Sequence, residues 1–138
     1  GATRAFTAAR MCGTPFEHTG QPVLIPGSMG TASYLLAGEE RNDETLCSVN
    51  HGAGRVMSRT AASGRKRHGK KHVGEGLVSD SQFAESMKGI LLVAGDRRGV
   101  REEAPAAYKD IEAVIDTVTG AGLARKVARM RPMAVLKG

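Results

Sequence analysis

The sequence predicts a mixed α+β chain, short strands flanked by helices, on three observations. Two brief apolar runs, Val23–Ile25 and the centre of "GILLVAG" at 89–95, are bounded by proline or glycine, as buried strands are. One segment, "APAAYKDIEAVIDTVTGAG", repeats apolar residues at helical spacing. The 138 residues include 18 glycines, above the roughly 7% of ordinary chains, which implies many tight turns or close approaches of backbone to a ligand.

In chain order, "QPVLIPGSMG" reads as a buried strand feeding a glycine loop, and "TASYLLAG" (31–38) leaves that loop as a strand or short helix. "EERNDET" reads as an acidic surface loop. "HGAGRVMSRTAA" reads as a turn running into a helix that fades at Ser63 and Gly64, with His51 at or just before the helix start. Residues 64–79, glycine-rich and basic without periodicity, predict a mobile basic loop, and "GILLVAG" a second buried strand.

Ile111, Val114, Ile115 and Val118 form one apolar helix face, stopped by Gly120 and Gly122, and a helix over Ala106–Thr119 is expected to pack on the strands. "LARKVARM" reads as a short second helix with Leu123, Val127 and Met130 on one side. Pro132 then separates a terminal strand or extended tail, "MAVLKG".

A formal charge of +6 favours an anionic partner. No acidic residue falls between Thr45 and Gly74, where Arg55, Arg59, Arg65, Lys66, Arg67, Lys70 and Lys71 lie. After Asp116 only Arg125, Lys126, Arg129, Arg131 and Lys137 are charged. "RKRHGKKH" reads equally well as a solvated loop or as a phosphate-facing surface.

No run reaches the ~18 apolar residues of a membrane helix and no signal sequence opens the chain, so the expectation is a soluble, cytoplasmic protein without a membrane partner. Cys12 and Cys47 have no CxxC spacing and read as free thiols. "PGSMGT" and "HGAGR" satisfy neither the P-loop nor the dinucleotide fingerprint, and Ser28 lacks the glycine of a nucleophile elbow. Without HxxH, HExxH or an acidic cluster, no metal site is expected within the chain.

Both glycine loops can bring backbone N–H groups close to an anion, with Gly27, Ser28, Gly30, Gly52 and Gly54 as candidates. His51 has two readings on its residues alone: a turn histidine, or a nucleophile toward a phosphoryl group, with Arg55 and Arg59 one and two helical turns on to offset charge. His18, His68 and His72 read as surface residues.

Four blocks in order, "GQPVLIPGSMGTASYLL", "HGAGRVMSR", "EEAPAAYKDI" and "GLARKVARMRPMAVLKG", closely resemble the carboxy-terminal part of the RtcB-type RNA ligases, and "GATRAF" resembles the segment just upstream. The resemblance implies that 1–138 is the carboxy-terminal portion of one RtcB-like catalytic domain of mixed α+β fold. It implies GTP and manganese as cofactors, RNA (tRNA halves or broken ends) as partner, and His51 as the nucleophile that takes a guanylyl group from GTP and passes it to an RNA 3′-phosphate.

The resemblance further sets Pro26, Gly27, Ser28, Met29 and Ser33 around the nucleotide, with Gly52, Ala53 and Gly54 after the nucleophile and Tyr108 and Lys137 at guanosine-contacting positions. Arg55 and Arg59 match arginines for phosphate or RNA backbone. The family's manganese ligands lie before the point where this sequence starts, and Cys12, His18 and Cys47 do not match them. The chain, which lacks an initiator methionine, is thus expected to be a piece that needs the amino-terminal half of the same protein and does not ligate alone. A non-catalytic RNA-binding or assembly fragment is the alternative, and a metal-free stand-alone transferase using His51 a third.

Overall fold

The computed structural model describes residues 1–64, 76–96 and 99–137. They form a mixed α+β structure that divides into two compact units. The first comprises 1–27, 32–53 and 110–130; the second comprises 28–31, 54–109 and 131–138.

In the first unit, strand β1 (Ala2–Arg4) is followed by a 3-10 turn at Ala8–Met11, then by β2 (Pro22–Ile25), β3 (Ser33–Gly38) and β4 (Ser48–Asn50). β2 pairs antiparallel with β3 through Val23↔Leu36 and Ile25↔Tyr34. Val23, Ile25, Tyr34 and Leu36 are all buried, whereas Leu24 is exposed, so β2 is half-buried with period-two alternation.

The acidic "EERNDET" segment lies at the surface as expected, with Glu40–Thr45 wound into a 3-10 turn around a fully buried Asn42. Its Nδ2 donates to Ala5 O at 2.5 Å and its carbonyl accepts from Cys47 N at 2.8 Å. Leu46 and Cys47 follow with φ of 55° and 53°, a left-handed reversal that costs non-glycine residues roughly 1–2 kcal/mol each.

Helix α3 (Ile111–Gly120) starts later than the expected Ala106. Pro105–Ala107 is a separate 3-10 turn, Tyr108 forms an isolated bridge with Arg55, and Asp110 caps the helix by accepting from Glu112 N. Ile111, Ile115 and Val118 are buried as the apolar face requires.

"LARKVARM" is not a helix. Gly122, at φ +72°, turns the chain back, and β6 (Ala124–Met130) pairs antiparallel with β3 to complete a sheet of order β2-β3-β6. The 4- and 3-residue spacing of Leu123, Val127 and Met130 mimics a helix, but cross-strand pairing overrides it, and Val127 and Met130 are exposed. The Tyr34 hydroxyl donates to Glu112, which also accepts from Arg129 Nε at 3.0 Å, so β3, α3 and β6 share one polar knot.

In the second unit α1 (Arg59–Ser63) and α2 (Asp80–Ser86) are capped by Ser58 and Ser79 side chains accepting from Ala61 N and Gln82 N. β5 (Leu91–Ala94) pairs in parallel with β7 (Ala134–Lys137), which settles the terminal segment as a strand. β5 is not the buried strand expected: Leu92 and Ala94 turn inward to Met29, Met87 and Val100, while Leu91 and Val93 are exposed.

Of the expected loop at 64–79, residues 65–75 lie outside the described residues, and with them Arg65, Lys66, Arg67, Lys70, Lys71, His68 and His72. Its far flank is fixed, since Leu77 N and Val78 N donate to Ala61 O and Ala62 O and Val78 is buried.

Ile115 is fully buried on α3. Ile115→Ala is expected to lower unfolding free energy by about 2–5 kcal/mol, read from urea denaturation. A change under about 0.5 kcal/mol, the scale of surface substitutions, would contradict this core assignment.

Candidate functional site

His51 follows β4 directly. No helix starts there: the chain passes through a turn at 51–54, α1 begins only at Arg59, and Arg55 and Arg59 are therefore not one and two helical turns on from the histidine. Glycine at 52 and 54 explains the difference, being a poor helix former. Gly54 has φ +77°, which directs the chain out of any helical path, and Ser58 supplies the cap where the helix does begin.

The imidazole is exposed, and its Nδ1 stands 3.0 Å from Thr3 Oγ1 on β1. Asn50 Nδ2 donates to Gly52 O at 2.9 Å and closes the turn beneath it. Ala53 N donates to Pro26 O at 3.0 Å, and a Cβ on Gly52 would stand 3.2 Å from that same oxygen. Of the residues expected around a nucleotide, the first unit thus brings Pro26 against Gly52 and Ala53, with Gly27 next in the same loop. Ser33 opens β3, opposite Met130.

The other expected residues lie in the second unit. Ser28 N and Oγ both bond Thr31 Oγ1, at 2.7 and 2.9 Å, which forms a tight polar turn. Met29 is buried with Met87 and Val100, so its side chain belongs to the core. Gly54 O accepts from Lys109 N at 2.9 Å, and Lys137 ends β7, exposed.

Arg55, Arg59 and Tyr108 converge on a residue the sequence did not single out, Glu103. Arg55 donates to Met57 O, Glu103 Oε2, Tyr108 Oη and Glu102 O at 3.0, 3.2, 3.1 and 2.6 Å, and its guanidinium lies 4.9 Å from the Tyr108 ring centroid. Tyr108 also donates to Glu103. Arg59 Nε reaches Glu103 Oε1 at 2.9 Å while its side chain stays 68% exposed. An open cleft of about 450 Å³ is lined by Arg55, Val56, Met57, Ser58 and Arg59.

Burial pushes the Glu103 carboxyl up, but hydrogen bonds from Tyr108 and Arg59 and the charges of Arg55 and Arg59 outweigh it, so the group sits below the usual carboxylate range. Burial, then Glu103, pushes the Tyr108 phenol up. Glu103 and Thr3 were invisible as site residues because nothing local marks them: Glu103 meets Arg55 across 48 residues of sequence, and Thr3 meets His51 across another 48. Cys12 and Cys47 are free, exposed and buried respectively, and His18 is an exposed neighbour of Glu17.

Fold and site define a mixed α+β chain that presents an imidazole from a strand end in one unit and an arginine-lined cleft in the other. The tRNA-splicing ligase RtcB family matches residues 1–138, and the chain belongs to that family. It is 49% identical over its whole length to the tRNA-splicing ligase RtcB of Thermococcus kodakarensis and 48% to that of Pyrococcus horikoshii, spanning 27% and 15% of those proteins. Against the RNA-splicing ligase RtcB of Mycobacterium bovis it is 48% identical over 86% of the chain and 25% of the relative.

Because the folded carboxyl of Glu103 is held low, its contribution is fully present above the unfolded pKa, about 4.3, and is lost as pH falls through the folded value. The stability gap between the native chain and Glu103→Gln, measured by urea unfolding, is expected to be widest above about pH 5 and to narrow steadily as the pH falls below the unfolded value of about 4.3. A gap that widens toward acid would overturn the arrangement.

Proposed function

We propose that this chain carries the nucleophile of an RNA ligase that uses GTP to join RNA 3′-phosphate or 2′,3′-cyclic phosphate ends to 5′-hydroxyl ends, in tRNA splicing or RNA repair. The observation that carries this reading is the presentation of His51: in a chain of the RtcB family, its ring is exposed at a strand end with Nδ1 engaged by Thr3. The whole activity belongs to the family-length protein, whose amino-terminal remainder is a required partner. The setting is cytoplasmic in this reading, and among the described residues no helix is long and apolar enough to cross a membrane.

In the chemistry proposed, the Nε2 lone pair attacks the α-phosphorus of GTP. The bond from that phosphorus to its bridging oxygen breaks and pyrophosphate leaves with the electron pair. An RNA 3′-phosphate oxygen then attacks the same phosphorus, the N–P pair returns to Nε2, and the RNA end carries GMP. Attack by a 5′-hydroxyl on the RNA phosphate displaces GMP and closes the phosphodiester. A cyclic phosphate is first opened by water.

Pro26, Gly27, Gly52 and Ala53 supply close backbone to the nucleotide, with Ser28 and Gly54 continuing those loops and Ser33 at the start of β3. Lys137 suits the guanine carbonyl as an ammonium donor. Tyr108, its hydroxyl committed to Glu103, offers a ring face. Between the arginines, Arg59 is the phosphate contact. Arg55 spends its guanidinium on four protein acceptors and holds the cleft in shape.

The resemblance also implies manganese. Among the described residues no three His, Cys, Asp or Glu side chains gather to hold a metal ion, so these residues do not fit it and no step above passes through one. Its ligands are assigned to the amino-terminal remainder.

Two measurements test the reading. Radiolabelled GTP with manganese should label the family-length protein, and His51→Ala should abolish both label and RNA joining; label that survives the substitution would sink the assignment. Arg59→Ala should weaken RNA binding and reduce the slope of log K against log salt by about one contact, with at most about 1 kcal/mol of stability lost from its largely exposed ion pair to Glu103. An unchanged salt slope would remove Arg59 from the RNA surface.

A further inference from the structure

We propose that Thr3 is a positioning residue for His51: its hydroxyl accepts from Nδ1–H and so holds the imidazole in the tautomer whose Nε2 carries the lone pair. This rests on the reading of His51 as nucleophile and assigns a role to "GATRAF", the segment that reading leaves without one.

The placement follows from register. β1 and β4 run antiparallel with Ala2 opposite Asn50 and Thr3 opposite Val49. Continued by one residue, that register sets Gly1 opposite His51, and period-two alternation puts Gly1 and Thr3 on one face. The ring lies diagonally over that face and ends with Nδ1 3.0 Å from Thr3 Oγ1. Gly1 leaves room beside it: a Cβ there would stand 3.5 Å from His51 Cβ and 3.9 Å from Cδ2, ordinary contact, so the ring is flanked without being displaced. Arg4, on the opposite face, donates instead to Leu46 O and Ser48 Oγ.

A neutral imidazole has one N–H and one lone pair, and the partner of one nitrogen fixes the state of the other. A threonine hydroxyl either donates or accepts. Only the accepting arrangement leaves Nε2 able to attack phosphorus.

It has a second consequence. When the N–P bond forms and the phosphorus–oxygen bond to the leaving group breaks, the Nδ1 proton stays on the ring. The phosphorylated ring is then cationic, and it leaves readily when the RNA phosphate attacks. No proton needs to enter or leave the imidazole in either step.

The test uses Thr3→Val, which removes the hydroxyl and keeps the β-branch, and Thr3→Ser, which keeps the hydroxyl. In the chain labelled with [15N]histidine, nitrogen chemical shifts assigned with His51→Gln should show Nδ1 protonated in the native chain and in Thr3→Ser. In Thr3→Val they should show a shift toward Nε2–H. In the family-length protein with saturating GTP, the rate of guanylyl transfer to His51 should fall about 10- to 100-fold in Thr3→Val, by analogy with the loss seen when the hydrogen-bond partner of a metal-binding histidine is removed, and recover in Thr3→Ser. A native ring protonated at Nε2, or a Thr3→Val variant with native tautomer and rate, overturns the role of Thr3. A native His51 that takes no label overturns the reading of the site instead.

Discussion

The pairing of β1 with β4 is the constraint on which the first unit's site depends. Three residues a side make a marginal ladder on their own, and the surroundings make it obligatory. Ala5 N bonds Cys47 O, the buried Asn42 amide takes Ala5 O, and Arg4 reaches the Leu46 carbonyl. The left-handed pair Leu46–Cys47 is tolerated because these contacts over-determine the path. The result is a short strand delivered at a fixed height and face, so that the next residue, His51, emerges with one ring nitrogen already engaged.

The second unit solves a different problem, how to keep arginines near an open cleft without letting them collapse onto the surface. Glu103 does this by dividing its two oxygens. Oε2 takes Arg55 and the Tyr108 hydroxyl, while Oε1 takes the Nε of Arg59. Arg55 is thereby fixed as framework over the tyrosine ring, and Arg59 is tethered at one nitrogen with most of its side chain in solvent. Burial pushes this part-buried carboxyl up, and the three donors around it more than offset that, so it sits below the usual carboxylate range. The two arginines of "HGAGRVMSR" look equivalent in sequence and do unlike work in the fold.

How far the sequence carries depends on whether a feature is local. The apolar face at Ile111, Ile115 and Val118 was legible because it declares its period within a few residues, and the strand at Pro22–Ile25 because prolines bound its short apolar run, although its alternation of buried and exposed residues was not. Ala124–Met130 was misread because seven residues do not separate a helical from a strand period, and its pairing with β3 is decided by chain about 90 residues away. The helix expected after the His51 turn does form and ends at Ser63 and Gly64 as read, but it begins only at Arg59, because Gly54 at φ +77° takes the chain out of a helical path first. At the site, His51 and the glycine turn could be named from their motif, whereas Thr3 and Glu103 become visible only once strand register and the Arg55–Tyr108 bridge bring distant residues together.

The central claim is a chemical bond at one atom, and mapping the adduct tests it most directly. The family-length protein, treated with GTP and manganese and digested at neutral to alkaline pH, should yield a single GMP-bearing peptide that contains His51. Its linkage should be labile in acid and stable in base, as a phosphoramidate on imidazole is. An acid-stable adduct, or one on a lysine, serine or a peptide without His51, would contradict the account.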